Sequence, residues 1–292
     1  MRTAQAVVTI DATPEDVFRA LTESDQLNEW FSEHSDIALD DGRYDFWGRH
    51  TVGAPEREEG RHTIETLEHG RRLVYRWRLS GQDSTVDIRL APVGGGVELS
   101  LRHDGLTPRA LHRTSLYDFW SLALENLRAW CERGQIGSRP DFALSPLADA
   151  VASVQIEAPA EEVFDALLDP AQIGRFAGGE QPVVERRRGG RYSFGWEGGG
   201  PIKILEIVPN ERLAYSWSHG DPETVVTWTL EGSGGGTRLT LVHSGFAPDQ
   251  EREDYRIGWL HFLNRIKHMV EQGPEWRPIE IVSEELHYEV AV

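Results

Sequence analysis

The chain has a single cysteine, Cys131, among 292 residues. An internal disulfide is therefore excluded, and neither a CxxC redox pair nor a Cys-rich zinc site can form. No apolar run approaches the ~20 residues that span a bilayer. The opening residues, Met1-Arg2-Thr3-Ala4-Gln5, lack the apolar stretch of a signal peptide. Basic residues are in deficit: 30 Lys and Arg against 48 Asp and Glu leave a net charge of −18. Such a chain repels phosphate backbones and anionic lipid surfaces. The densest basic run, Arg186-Arg187-Arg188 with Arg191 close behind, reads as a solvated turn before a strand. Nucleic acid and membrane are not expected partners, and a reducing cytoplasm is the expected location.

Motifs that carry chemistry are equally sparse. No GxSxG elbow occurs, and Cys131 falls on the inner stripe of a helix, where a thiol is usually inert. The glycine runs 94–96, 198–200 and 234–236 lack the Lys-Ser/Thr of a phosphate loop and the strand–GxGxxG–helix setting of a dinucleotide site, so they read as turns. His62 and His69, seven apart on a strand, point to opposite faces. His261 and His268, seven apart on a helix, share a face, but no Asp, Glu or Cys beside them completes a metal set. No metal or cofactor is expected.

What the chain does contain is a repeat. Residues 10–21 read IDATPEDVFRAL and residues 156–167 read IEAPAEEVFDAL. Gly42-Arg43-Tyr44-Asp45-Phe46 returns as Gly190-Arg191-Tyr192-Ser193-Phe194. Arg72-Leu73-Val74-Tyr75-Arg76-Trp77 returns as Arg212-Leu213-Ala214-Tyr215-Ser216-Trp217. Leu99-Ser100-Leu101-Arg102-His103-Asp104-Gly105 returns as Leu239-Thr240-Leu241-Val242-His243-Ser244-Gly245. The matches keep their order, so the chain is a tandem duplication. The boundaries expected are a first domain over 1–134, a linker over 135–150, a second domain over 151–273 and a tail over 274–292. Two copies within one chain make an intramolecular pseudo-dimer plausible. The alternating tail is read either as an edge strand or as a segment lying across the domain interface.

Each copy begins with a short strand and a capped helix, Thr13-Pro14 supplying cap and first-turn proline. Ser24 and Asp169-Pro170 open the second short helix of each copy. Alternating strands follow, with one apolar and one polar face. Tyr44, Phe46, Gly48 and His50 share one parity, as do Leu73, Tyr75 and Trp77, and as do Val97, Leu99, Leu101 and His103. A long amphipathic helix closes each copy, with Leu116, Trp120, Leu124, Leu127 and Cys131 on its stripe in the first. The class is α+β: a curved antiparallel sheet whose apolar face only the closing helix is long enough to cover.

The APxEEVFxAL-like opening, the GRY strand, the RLxYxW strand, the H-x-G strand end and the Trp-bearing final helix together resemble the SRPBCC (START-like) superfamily. Within it they are most similar to the family named after the activator of the 90-kDa heat-shock protein ATPase. The resemblance covers about residues 5–133 and 151–273. It implies two tandem helix-grip domains, each with a cavity between helix and sheet, and a role in binding apolar small molecules. Relatives that are lipid carriers, aromatase/cyclases or chaperone regulators make a cyclase-like enzyme of natural-product biosynthesis the first alternative and a chaperone-ATPase regulator the second.

Inward-facing aromatics are the candidate ligand-binding residues, and they either line the cavity or fill it. They are Tyr44, Phe46, Tyr75, Trp77, Tyr117 and Trp120 in the first copy, and Tyr192, Phe194, Trp196, Tyr215, Trp217, Trp228 and Trp259 in the second. His103 and His243 recur at one strand end, where a histidine acts as general acid or base or else bonds a carbonyl or carboxylate and closes the sheet edge. His50 is a further catalytic candidate, though with Asp87 on the polar face it has no evident partner. Between the GRY and RLxYxW strands the first copy carries eight more residues than the second (offset 148 against 140), within 50–60. Loops at a cavity mouth control access, so this one marks the first copy as the expected functional domain.

Overall fold

The computed structural model describes residues 2–79, 81–106, 116–143, 148–218, 223–247 and 253–283. The chain divides into two compact units, Met1–Leu144 with Ile279–Val292, and Ser145–Pro278.

In the first unit, strand β1 (Arg2–Ile10) leads into helix α1 (Pro14–Thr22). The Thr13 hydroxyl accepts from the Asp16 N–H at 3.1 Å, satisfying one of the N–H groups a helix start leaves orphaned. Helix α2 (Ser24–Trp30) follows after the single residue Glu23, whose N–H still closes α1 on the Arg19 carbonyl. Glu23 therefore occupies the cap position expected for Ser24, whose hydroxyl accepts instead from the Ile37 N–H at 3.0 Å.

Strands β2 (His34–Ala38), β3 (Arg43–Trp47), β4 (Arg61–Glu68), β5 (Arg72–Leu79), β6 (Gln82–Val93) and β7 (Gly96–Leu106) pair antiparallel, and α3 (Leu116–Arg133) closes the unit. Val93 pairs with Gly96, so Gly94-Gly95 form the hairpin turn. The strand read through to His50 ends at Trp47. Gly48 takes φ +104°, a region open to glycine, and turns the chain out of the sheet. The tail supplies β15 (Ile281–Ser283), which pairs with β1 through Gln5–Val282. The order is β15-β1-β7-β6-β5-β4-β3-β2.

The second unit repeats the plan with β8 (Ala150–Ile156), α4 (Ala160–Leu168) and α5 (Pro170–Ala177), then β9 (Val183–Val184), β10 (Tyr192–Ser193), β11 (Gly200–Val208), β12 (Arg212–Ser218), β13 (Thr224–Ser233), β14 (Gly236–Ser244) and α6 (Glu253–Gln272). Asp169 caps α5, accepting from the Ala171 N–H at 2.7 Å ahead of Pro170. The main sheet runs β11-β12-β13-β14-β8, and β9-β10 form a separate pair.

Both units are helix grips of α+β class. In β7, Val97, Leu99, Leu101 and His103 are buried while the residues between them are not, the two-residue period of a half-covered sheet. Leu116, Phe119, Trp120, Leu124 and Leu127 of α3 pack over that face. Among the described residues no helix is long and apolar enough to cross a membrane.

Candidate functional site

The grip interior gathers Tyr44 and Phe46 from β3, Tyr75 and Trp77 from β5, His103 from β7 and Trp120 from α3. Tyr75 lies 5.1 Å from Tyr44, Phe46 is 5.5 Å from Trp77, and Trp120 is 5.9 Å from Trp77, between ring centroids. Tyr117 packs half-buried at the margin. Sequence reading missed Phe31 and Phe119, whose rings each pack against both Trp77 and Trp120. The signal for Phe119 was its position three residues after Leu116 on the inner stripe. A residue bordering a water-sized space keeps accessible area, whereas Phe46 and Trp77 are 0% exposed. Rings fill the interior around them.

One hydrogen-bonded chain recurs in both units. The Trp120 indole N–H donates to His103 Nδ1 at 3.0 Å, and His103 Nε2 lies 2.8 Å from the Ser84 hydroxyl, which donates to the Trp77 carbonyl at 2.7 Å. An indole N–H only donates. Nδ1 is therefore the unprotonated nitrogen, and Nε2–H donates to Ser84. In the second unit Trp259 donates to His243 Nδ1 at 3.1 Å, and the other nitrogen meets Thr224 Oγ1 at 2.7 Å. Burial lowers both histidines to about 3, because a charged imidazole there would lose its water. Their partners are an indole and a hydroxyl rather than the carbonyl or carboxylate expected, and both nitrogens are engaged.

His62 is the interior residue that sequence reading set aside. It points inward from β4 with its ring tilted 3.9 Å from Phe46, and burial lowers it to about 3 against the opposing pull of the Phe46 and Arg76 backbone. Neither ring nitrogen has a hydrogen-bond partner. The signal available was its alternation with Ile64, which a bulge before Thr66 then interrupts. His69 lies beyond the end of β4, in the turn.

In the second unit Tyr192, Phe194, Tyr215, Trp217, His243 and Trp259 also come together, and Trp228 is buried, donating to the Tyr215 hydroxyl at 3.0 Å. Trp196 is half-buried 5.8 Å from Trp217, with its indole N–H on the Ala177 carbonyl. Aligned on Trp120 and Trp259, Phe119 becomes Gly258; aligned on the starts of α2 and α5, Ser24 and Pro170, Phe31 becomes Ala177. These two phenyl rings thus have no counterpart, and Trp196 and half-buried Phe262 pack 5.7 Å apart instead.

The remaining candidates lie outside these interiors. His50 sits in the loop after β3, where its Nδ1–H donates to the Pro140 carbonyl at 2.7 Å, and burial lowers its pKa. Asp87 is held on the outer face by Arg72 and Arg89. Burial pushes the Cys131 thiol up to about 12. Arg186 and Arg187 pair with Asp165 and Glu185. Among the described residues no three His, Cys, Asp or Glu side chains converge as a metal set would.

The family model described as Activator of Hsp90 ATPase homolog 1-like protein matches residues 11–132 and 157–271. No curated protein matches the chain. Among solved structures, protein MLL2253 from Mesorhizobium loti is 30% identical, covering 43% of this chain and 98% of its own, with a TM-score of 0.39. DynU16, a protein in the dynemicin biosynthetic locus, is 15% identical, covering 92% of this chain and 98% of its own, with a TM-score of 0.34. The Aha1 dimer from Colwellia psychrerythraea is 20% identical, covering 44% and 99%, with a TM-score of 0.40.

Proposed function

From the premise that the chain belongs to the Activator of Hsp90 ATPase homolog 1-like family, in two tandem copies, we propose that it binds an apolar or aromatic small molecule inside a helix grip, as a carrier or sensor. One observation supports this over the cyclase-like alternative. His103 and His243 are neutral, with both ring nitrogens engaged. Neither strand-end histidine is therefore a proton donor or acceptor free to meet a substrate, and rings dominate both interiors.

Native mass spectrometry of gently purified protein is expected to show a stoichiometric passenger, recovered chemically unchanged after incubation. Titration with N-phenyl-1-naphthylamine, read by tryptophan fluorescence, is expected to saturate. A bare mass together with no saturable binding would overturn the reading. A passenger that is converted during incubation would replace it with an enzyme.

A further inference from the structure

Three buried polar atoms on two facing side chains of the first unit lack a hydrogen-bond partner, Nδ1 and Nε2 of His62 and Nε1 of Trp77, and so does Oγ1 of Thr51 in the loop after β3. Native interiors leave few such atoms, and each one calls for a physical account. Thr63 pairs with Arg76, which places His62 directly across from Trp77 on the buried face, with ring centroids 5.8 Å apart. On its other side His62 pairs with Tyr44. The backbone of Phe46 and Arg76 borders the imidazole without reaching hydrogen-bond geometry.

The extra loop of the first copy packs Val52 into the same core as Phe46 and Trp77. Its ends are joined by the Gly48 N–H on the Ala54 carbonyl at 2.9 Å, and Thr51, Val52 and Ala54 turn inward. A Cβ on Gly53 would lie 3.6 Å from Leu79 Cδ2, so the loop reaches the strand end beyond Trp77. Gly48 and Gly53, at φ +104° and +68°, give it two pivots. On its outer side it is tied by Arg49 to Glu33, by His50 to Pro140 and by the Phe142 N–H to the Arg49 carbonyl. In the second unit Pro201 takes the place across from Trp217, which removes the imidazole.

We propose that the first unit binds a hydroxyl-bearing aromatic molecule, a phenol or fused-ring equivalent, with its hydroxyl between His62 and Trp77 and residues 48–54 as the lid. This rests on the ligand-binding reading and adds the unit and the ligand class. Neutral imidazole offers one acceptor and one donor, and the indole offers a donor. A hydroxyl matches them, donating to the bare His62 nitrogen while accepting from Trp77. Rings fill this interior while the loop is down, so the guest enters only when residues 48–54 lift Val52 and Ala54 out of the core, and Tyr44, Phe46 and Tyr75 are then the rings nearest to it. A carboxylate is the wrong guest, because its charge would be buried without a cation.

The test compares 2-naphthol, naphthalene and 2-naphthoate on the full chain, by tryptophan fluorescence and by the imidazole nitrogen resonances of His62. The expected result is 2-naphthol binding at least tenfold more tightly than either of the others, with His62 resonances shifting for 2-naphthol alone. In His62→Leu the preference over naphthalene should fall below threefold. Equal affinity for 2-naphthol and naphthalene would overturn the proposal and leave binding itself intact, as would His62 resonances that never move. Failure of 2-naphthol to bind would also overturn the proposal, and the ligand-binding reading falls with it only if N-phenyl-1-naphthylamine fails to saturate and the native mass is bare.

Discussion

Replacing His62 by leucine should make the first unit less sensitive to acid. Burial holds the folded imidazole at about 3, against 6.5 for a solvated ring. Below 6.5 the unfolded chain therefore takes up a proton that the folded one refuses. The stability tied to this group is complete above pH 6.5 and is lost as pH falls towards 3, at ~1.4 kcal/mol per pH unit within that window. Between pH 7 and pH 5 the loss is about 2 kcal/mol from His62 alone. His103 titrates in the same direction but is present in both proteins, so it cancels in the comparison. Leucine also removes two unpaired buried nitrogens, groups that cost ~1–3 kcal/mol each when left unsatisfied, so the variant should be at least as stable as the parent at pH 7. Native-state hydrogen exchange of the β5 amides reads the first unit even if the two units unfold separately. The parent should lose about 2 kcal/mol more protection than the variant between pH 7 and pH 5. Equal losses would refute the reasoning, since they would mean that the folded imidazole is hydrated or already partnered.

Ser84→Ala should destabilise the first unit and Thr224→Val the second, each by ~1–3 kcal/mol, because each leaves the Nε2–H of a buried histidine without an acceptor; urea unfolding checks both, with outer-face Ser100→Ala as a near-silent control. Gly60→Ala should lower the melting temperature, since its Cβ would collide with the Phe46 carbonyl oxygen and push β3 from β4. Gly95→Ala, which meets nothing within 4 Å, should not. Ending the chain at Pro278 removes β15 and should speed amide exchange along β1, whose outer edge then lacks a partner.

Sequence alone determined what depends on near neighbours. Thr13 and Asp169 cap the helices they precede, the alternation from Val97 to His103 assigns the buried face of a strand, and a motif order met twice establishes the duplication. The inward parity of Tyr44, Phe46, Tyr75 and Trp77 was legible for the same reason: side-chain direction along a strand is a local property. Tertiary structure decided what depends on distant partners. His103 is silenced by Trp120 and Ser84, which lie on a different helix and a different strand, and no spacing rule distinguishes an indole from a carboxylate as its neighbour. His50 left the site because Gly48 turns the chain, and His62 entered it because β3 and β5 place rings on both of its sides. The tail became an edge strand only where β1, nearly the whole chain away in sequence, offered an open ladder. Periodicity is written residue by residue. Burial and hydrogen-bond partners exist only once remote segments share the same space, so the chemistry of these interiors follows from packing that no local pattern encodes.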